Sequence, residues 1–371
     1  MPHQVLYRKY RPKDFFEVVG QEYTIKAITN ALKSGRIAHA YLFAGPRGIG
    51  KTTIARLIAK AVNCTGVGNG DNQKPCNACE NCVAIGENRF MDLIEIDAAS
   101  NRGIDEIRSL REAVRFVPSH GAFKVYIIDE CHMLTKEAFN ALLKTLEEPP
   151  AHIIFILATT ELEKLPATIV SRTQLYHFIR PSIRQIADRI LAIAKKEKIK
   201  LDTDAAELIA LSAEGALRDA EGILGQIISL EDEHITRREV EDLLGVAPRD
   251  AMRALFQYLG EKKVKESLQE VEKLSEGGYD FQFIIKMLLR LIRAALILKS
   301  GFHALQSIEK DLLPEEIEFI KKSLPHWSER DLSRALNSLM EAHSRMKISP
   351  IPELPLELAV VEIAESVGDG A

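Results

Sequence analysis

The chain has 371 residues, and its 49 lysines and arginines against 53 aspartates and glutamates give a formal net charge of −4. This length is too great for one hydrophobic core, so we expect two or three domains. The charge balance excludes a protein coated with positive charge for nucleic acid, so any DNA contact must be local.

The N-terminal segment 1–15 lacks the apolar core of a signal peptide. The most apolar segment of the chain, 283–298, is interrupted by Lys286, Arg290 and Arg293, whose charges would be costly in lipid. We therefore expect a cytoplasmic protein without a membrane partner, in which 283–298 forms a buried or oligomer-facing helix.

Short apolar runs alternate with amphipathic helical stretches through the first half of the chain. The runs lie at 40–44, 92–97, 124–129, 153–159 and 174–178. Near-continuous apolar strands separated by helices are typical of a parallel sheet that helices cover on both faces. The pattern therefore predicts an α/β nucleotide-binding core.

A glycine-rich segment, GPRGIGKT, follows the first of these strands and precedes a predicted helix, which is the context that a P-loop requires. Its glycines would let backbone N–H groups point at phosphates, Lys51 would reach the β- and γ-phosphates, and Thr52 would bind Mg²⁺. A purely structural turn is the alternative. The predicted phosphate-binding residues are Gly45, Pro46, Arg47, Gly48, Ile49, Gly50, Lys51, Thr52 and Thr53.

Four of the five cysteines lie close together in the segment 64–82, as C-x11-C-x2-C-x2-C. Four thiolates satisfy tetrahedral zinc without an open position, so the spacing favours a structural zinc site over a catalytic one. An iron–sulfur cluster is the chief alternative, although its fourth cysteine usually follows downstream. Free thiols are the other alternative. The predicted zinc ligands are Cys64, Cys76, Cys79 and Cys82.

Two adjacent acids end the apolar run VYIIDE at 125–130. Asp129 would hold Mg²⁺ through its water shell, and Glu130 would orient or deprotonate an attacking water. A charged exit from a strand is the alternative. Together with the P-loop, this pair predicts hydrolysis of ATP.

The strand pattern ends after Pro181, and the rest of the chain has helical periodicity. Breaks fall near 245–250, 276–280 and 349–355. We therefore expect three domains: 1–179, which contains the cysteine module at 64–82, then a small helical domain at 180–243 and a second helical domain at 244–371.

These motifs, taken in order, resemble the AAA+ ATPases and, within them, the gamma/tau family of bacterial DNA polymerase III clamp-loader subunits. The matching segments are 6–12, 18–22, 39–53, 97–108, 127–134, 140–150, 157–172 and 214–224. The resemblance implies a P-loop AAA+ core with a five-stranded parallel sheet, a small all-α lid and an all-α collar that holds subunits in a ring-like pentamer. It implies the same four zinc ligands.

The resemblance also implies roles for residues around the nucleotide. Thr160 would be the sensor 1 residue that reads the γ-phosphate, with Thr159 as a close competitor. Arg172 resembles the arginine finger that reaches the ATP of the neighbouring subunit, a task that suits a planar, permanent charge. A strand-end threonine and an ordinary surface arginine are the alternatives.

Arg218 resembles sensor 2, which projects from the lid onto the phosphates of its own subunit. A helix-surface ion pair with Asp219 or Glu221 is the alternative. Arg11 and Val19 match positions that border the adenine pocket in the family. Thr173 departs from the family, which usually has cysteine there.

The implied function is ATP-dependent loading of a sliding clamp onto primed DNA, with ATP, Mg²⁺ and Zn²⁺ as cofactors. The implied partners are the delta and delta-prime subunits, other copies of the chain, the clamp (beta), and primed DNA through its phosphates. In the family the helix within 100–116 follows the duplex backbone, although acids share this helix and a solvated mixed-charge face is the alternative. The residues expected near DNA are Asn101, Arg102, Arg108, Arg111 and Arg115.

Three other functions are consistent with parts of the pattern. A branch-migration helicase would carry a winged helix at the C-terminus, where this chain is predicted to be helical. A non-hydrolysing structural subunit like delta-prime would not need the intact set of Lys51, Thr52, Asp129 and Glu130. A zinc-dependent nucleic-acid-binding module with a vestigial ATP site would not bind ATP.

Overall fold

The computed structural model describes residues 5–66, 75–101, 103–229, 233–301, 312 and 314–364. The chain forms two compact units. The first comprises Met1–Lys196 with Ile209–Gln226, and the second comprises Glu197–Leu208 with Ile227–Ala371. The division into domains 1–179, 180–243 and 244–371 stays a prediction.

The first unit contains a five-stranded sheet in which every neighbouring pair is parallel. Its strands in chain order are Ala40–Ala44 (β1), Leu93–Asp97 (β2), Lys124–Asp129 (β3), Ile153–Thr159 (β4) and Gln174–His177 (β5), and their spatial order is β2-β3-β4-β1-β5. Every residue of β1 and β4 is buried. The predicted five-stranded parallel sheet is confirmed.

The register of the strands brings three loops to one edge of the sheet. Ala44 at the end of β1 lies opposite Thr159 at the end of β4, and Asp97 lies opposite Asp129. Because β4 lies between β1 and β3, the segments that follow β1, β3 and β4 emerge side by side. Ligands of open α/β sheets bind at this carboxyl edge.

Helices cover both faces of the sheet, as predicted. Alternate strand residues point to opposite faces. Leu42 packs in a core cluster with residues of α5 and α6, whereas Tyr41 and Phe43 pack in a second cluster with residues of α2 and α3. The helices described up to residue 228, in chain order, are Leu6–Lys9 (α1), Glu22–Lys33 (α2), Lys51–Asn63 (α3), Glu80–Gly86 (α4), Ile104–Ala113 (α5), Lys136–Glu147 (α6), Ala167–Val170 (α7), Ile183–Lys196 (α8), Thr203–Ser212 (α9) and Leu217–Ile228 (α10).

Where the structure describes it, the second unit is helical except for one short parallel pair, Lys200–Leu201 (β6) with His234–Ile235 (β7). This pair corrects the prediction that the region after residue 180 is all helical, because a strand of two residues is too short to show a period. The remaining helices are Arg237–Leu244 (α11), Arg249–Gly260 (α12), Val264–Glu276 (α13), Phe281–Lys299 (α14), Pro314–Ser323 (α15), Glu329–Arg345 (α16) and Leu354–Ala364 (α17).

The apolar segment 283–298 forms most of α14, which packs against α16. Its Ile284, Leu288 and Ile292 are fully buried. The expectation of a buried helix is confirmed. In the part of the chain that the structure describes, no helix combines the length and the hydropathy needed to cross a membrane.

Candidate functional site

The glycine-rich loop joins β1 to α3 and has a backbone that only glycine fits at two positions. A Cβ on Gly45, where φ is 152°, would lie 2.4 Å from the carbonyl oxygen of Phe178. A Cβ on Gly48, where φ is 77°, would lie 2.9 Å from the Cβ of Ala216. The loop therefore packs tightly against β5 and the start of α10, which fixes its shape before any ligand binds.

Lys51 is the first residue of α3 and has only 5% of its surface exposed. Its Nζ donates hydrogen bonds to the carbonyl oxygens of Gly45, at 2.6 Å, and Pro46, at 2.7 Å. Burial lowers the pKa of Lys51, and the nearby carboxylates of Glu130 and Asp129 oppose that shift. The ammonium group is thus held inside the glycine-rich loop, at the helix N-terminus, where an anion is favoured.

Thr52 and Asp129 meet although they are 77 residues apart in sequence. The Oγ1 of Thr52 donates to the Oδ2 of Asp129 at 2.9 Å. A hydroxyl and a carboxylate are the hard oxygen ligands that Mg²⁺ prefers, directly or through its waters. The donor set therefore fits the predicted magnesium site.

Glu130 has an unusual backbone for a residue with a side chain, with φ 46° and ψ 45°. This left-handed conformation is uncommon outside glycine and tends to occur at functional sites. The Oε2 of Glu130 accepts hydrogen bonds from the Oγ1 of Thr160, at 2.9 Å, and from its backbone N–H, at 3.3 Å. Thr160 is thus the threonine that contacts Glu130, whereas Thr159 is fully buried.

A cavity of about 490 Å³ opens between the loop, the acid pair, the N-terminal segment and the start of α10. This volume is within the range of small-molecule sites. The cavity brings together most of the residues predicted from the sequence: Arg11, Val19, Arg47, Gly48, Ile49, Gly50, Lys51, Thr52, Thr53, Asp129, Glu130 and Arg218.

Four predicted residues do not line this cavity. Gly45 and Pro46 accept hydrogen bonds from Lys51 through their carbonyl oxygens, and Thr160 donates a hydrogen bond to Glu130. Arg172 lies elsewhere on the first unit, where its Nη2 is 2.8 Å from the Oε1 of Glu147. The Arg172 side chain is 35% exposed, so it is neither part of its own subunit's site nor buried in the core.

Several cavity residues carried no recognised signal in the sequence. Arg189 and Glu221 form an ion pair at 3.3 Å, and burial raises the pKa of Glu221 to about 7 against the attraction of Arg189. Glu221 therefore pairs with Arg189 from α8. Tyr7 and Arg8 lie in the matched segment 6–12 and could have been found there. The further cavity residues are Pro12, Glu17, Val18, Asp97, Ala99 and Leu217, and all of these except Glu17 lie in matched segments without having been given a role.

Arg218 stacks on an aromatic ring at the cavity wall. Its guanidinium carbon lies 4.7 Å from the ring centroid of Tyr7, a cation–π distance. A hydrogen bond from Arg218 lowers the pKa of Tyr7, which burial opposes. The backbone N–H of Arg218 donates to the carbonyl oxygen of Gly48 at 3.4 Å, so the start of α10 is attached to the glycine-rich loop.

The four predicted zinc ligands converge. Their sulfur atoms all lie within 4.8 Å of one another, and two pairs are 4.0 Å apart. Tetrahedral Zn²⁺ with bonds of about 2.3 Å places its sulfurs about 3.8 Å apart. Hydrogen bonds from the backbone N–H groups of Ala78 and Cys79 lower the pKa of Cys76, which favours a thiolate. The cluster fits a structural zinc ion. Cys131 is not part of it.

The cysteine cluster is connected to the turn before β3 by two asparagines. Asn81 lies on α4 between Cys79 and Cys82, and its side chain donates to the carbonyl oxygen of Asn63 at 2.9 Å. The side chain of Asn63 accepts from the backbone N–H of Phe123 at 2.9 Å. A Cβ on Gly121 would lie 2.4 Å from the same Asn63 oxygen, so the turn packs closely on this residue.

Removing metal from the cysteine cluster is expected to loosen this turn. Because structural zinc contributes directly to folding, chelation should lower the stability of the first unit by at least about 2 kcal/mol. Hydrogen exchange at the amide of Phe123 should accelerate at least about tenfold relative to the metal-loaded protein, and by more than exchange at the β4 amides, which report unfolding of the whole unit. Unchanged exchange at Phe123 after verified metal loss would contradict the connection.

The segment expected to contact DNA is only partly described. Helix α5 ends at Ala113, so Arg115 lies beyond it. Arg102 lies outside the described residues. Asn101 donates through its Nδ2 to the carbonyl oxygen of Asp97 at 3.1 Å, which ties it to the end of β2. A DNA contact here stays a prediction.

Comparison with known proteins gives a consistent result along the chain. A family model for the DNA polymerase III delta subunit matches residues 20–182. A second model, for domain III of the DNA polymerase III subunits gamma and tau, matches residues 235–368. The two matches fall on the α/β core and on the helical C-terminal region.

Two sequence relatives agree with these matches. The chain is 40% identical over 366 residues to the DNA polymerase III subunit tau of Bacillus subtilis, covering 99% of this chain and 64% of the relative. It is 35% identical over 373 residues to the subunit gamma of Buchnera aphidicola subsp. Acyrthosiphon pisum, covering 99% of this chain and 100% of the relative. A mutant form of Thermotoga maritima RuvB aligns with a TM-score of 0.49 and 19% identity, covering 68% of this chain and 79% of that one.

The chain spans under two thirds of the length of the Bacillus subtilis tau relative and the full length of the Buchnera gamma relative. Identity at this level over nearly every residue, together with a family model on the C-terminal region, requires shared descent of the whole described chain. The chain belongs to the gamma/tau family of DNA polymerase III subunits.

Proposed function

We propose that this chain is the ATP-hydrolysing motor subunit of a clamp loader, which loads a sliding clamp (beta) onto primed DNA. The observation that carries the proposal is the convergence of Lys51, the pair Thr52 and Asp129, and the pair Glu130 and Thr160 around one cavity. A phosphate cradle, a magnesium site and a candidate base thus lie together at the carboxyl edge of the sheet. This is the set that phosphoryl transfer to water requires.

The cradle would act through charge. Lys51 would exchange its bonds to the carbonyls of Gly45 and Pro46 for bonds to phosphate oxygens, so that a buried ammonium remains satisfied throughout. Thr52 and Asp129 would hold Mg²⁺, which when bound supplies charge neutralisation at the phosphate oxygens. Arg218, released from Tyr7, would add a second cation from the start of α10.

Glu130 would act on the attacking water. Its carboxylate is fixed at Oε2 by Thr160, which restricts its rotation and leaves it directed to the cavity that it lines. A carboxylate in this position can accept the proton of a water as the water attacks the γ-phosphate. In this way Thr160 would sense the γ-phosphate and position the base at the same time.

The proposed partners are the delta and delta-prime subunits, further copies of this chain, the clamp and primed DNA. Their support is the family membership, together with the partly exposed position of Arg172 outside its own subunit's cavity, which suits a residue that completes a neighbouring subunit's site. Contacts between basic side chains and phosphates would position DNA without reading its sequence. The domain pattern of core, lid and collar at 1–179, 180–243 and 244–371 belongs to the same proposal.

Replacing Lys51 by methionine is expected to weaken ATP binding by about 10- to 100-fold, because a charged hydrogen bond to phosphate contributes about 1.5–3 kcal/mol. Titration with a fluorescent ATP analogue measures the affinity directly. Lys26→Met on the exposed face of α2 is the matched control and should bind like the parent. Equal affinity of the Lys51 variant and the parent would refute the phosphate cradle and favour a vestigial ATP site.

A further inference from the structure

A buried histidine lies directly behind the acid pair. His132 is in the short 3-10 turn Cys131–Met133 that follows Glu130, and only 6% of its side chain is exposed. Its Nδ1 is 3.0 Å from the Oγ1 of Thr159, and its Nε2 is 3.1 Å from the Oε1 of Glu161. His132 is not among the residues predicted from the sequence to form the site, and it has no role in the proposed hydrolysis.

The hydrogen bonds of His132 determine its tautomer. A carboxylate has no proton to donate, so the Nε2 that faces Glu161 must carry the hydrogen. The Oγ1 of Thr159 already accepts from the backbone N–H of Glu161 at 3.0 Å, and its own hydrogen is free to point to Nδ1. In its neutral Nε2–H form, the imidazole satisfies both of its ring nitrogens, the hydroxyl and the carboxylate.

His132 does not act on Glu130 by a direct bond in this arrangement. Its Nδ1 lies 3.5 Å from the Oε2 of Glu130, and in the neutral Nε2–H form both atoms are acceptors. Lys164 also joins this network, because its Nζ lies 2.7 Å from the second carboxylate oxygen of Glu161. The ring therefore borders the Glu130 carboxylate while its hydrogen bonds go elsewhere.

The two partners of His132 flank one residue. Thr159 and Glu161 stand immediately before and after Thr160, and Thr160 is the residue that donates to Glu130. Binding to both neighbours fixes the backbone of this turn at the end of β4. The position of the Thr160 hydroxyl and N–H, and with them the Glu130 carboxylate, depends on that turn.

We infer that His132 is a positioning residue that fixes Thr160 by holding Thr159 and Glu161, and through Thr160 aligns Glu130 for attack of water on ATP. The inference rests on the proposed function, in which Glu130 is the base. His132 itself contacts no reacting atom. Misplacement of a catalytic group by about 1 Å is enough to slow a reaction about 100-fold.

Turnover of ATP by the reconstituted complex, with clamp and primed DNA, tests the inference. His132→Ala is expected to lower kcat by about 10- to 100-fold with little change in KM, because alignment and not binding is lost. His132→Gln, which can still donate to Glu161, should recover part of kcat. His120→Ala, at an exposed histidine after α5, is the matched control and should turn over like the parent.

A double-mutant cycle separates positioning from a general structural role. In single-turnover measurements, His132→Ala should have little further effect in a Thr160→Val or Glu130→Gln background, because its action passes through those residues. Undiminished effects in both backgrounds, or a parental kcat for His132→Ala, would overturn the inference.

If Glu130→Gln alone leaves hydrolysis intact, it is the proposed function that fails. If His132→Ala does not fold, the smaller change His132→Asn, which keeps an acceptor for Thr159, replaces it in the same cycle.

Discussion

Replacing Glu130 by glutamine is expected to lower the rate of ATP hydrolysis by about 10²- to 10⁴-fold, while ATP binding stays close to that of the parent. Glutamine has the size of glutamate and can still accept a hydrogen bond from Thr160. It cannot take a proton from water, and general-base catalysis contributes factors of this order. Because Lys51 and Asp129 remain, the phosphates and magnesium should still be held.

The measurement is single-turnover hydrolysis beside an ATP titration of the same protein. Glu163→Gln, on the exposed turn after β4, is the matched control and should hydrolyse ATP like the parent. A Glu130 variant that binds and hydrolyses ATP at the parental rate would remove Glu130 from the mechanism. A variant that loses ATP binding would instead assign Glu130 to the binding site.

Replacing Arg172 by alanine is expected to abolish most of the stimulation of hydrolysis by clamp and primed DNA, by about 10³-fold, without a loss of ATP binding. Arginine fingers supply factors of this size, since a guanidinium spreads its charge over the developing negative charge. To act in a neighbouring site, Arg172 must leave Glu147 and the carbonyl oxygen of Thr168, to which its Nη1 donates at 3.0 Å. Both side chains of that pair are more than a third exposed, and exposed pairs contribute little, so the exchange costs little.

Three variants make the test of Arg172 specific. Arg172→Lys should not restore stimulation, because an ammonium lacks the planar fork of donors. Glu147→Gln should keep it, because Glu147 only holds the free guanidinium. Arg36→Ala, at an exposed arginine after α2, is the control for lost surface charge. Full stimulation of Arg172→Ala would refute a role in trans.

The candidate site was largely predictable because its motifs are local. The glycine-rich loop, the cysteine spacing and the acid pair each depend on residues that are close in sequence, and these determine the local backbone and the ligand types. The parts that were missed, Arg189 with Glu221 and the role of His132, depend on pairs far apart in sequence. The local sequence around each member of such a pair does not indicate which distant residue it contacts.

Sequence alone also left open which threonine contacts the acid. Thr159 is the last residue of β4, where alternation turns its side chain into the buried interior, and Thr160 is the first residue beyond the strand. The hydroxyl of Thr160 can therefore reach Glu130. Adjacent threonines have nearly the same sequence context, so only their position relative to the strand end distinguishes them.

The sequence by itself determined the elements: five strands, a loop that only glycine permits, a four-cysteine cluster and a helical C-terminal region. These follow from short-range periodicity and from the backbone freedom of single residues. Only the tertiary structure decided the strand order β2-β3-β4-β1-β5, the bond between Thr52 and Asp129, and the partly exposed position of Arg172 beside Glu147. Parallel strands bring their carboxyl ends together whatever their separation along the chain, so the identity of neighbouring side chains is fixed by packing and not by local sequence.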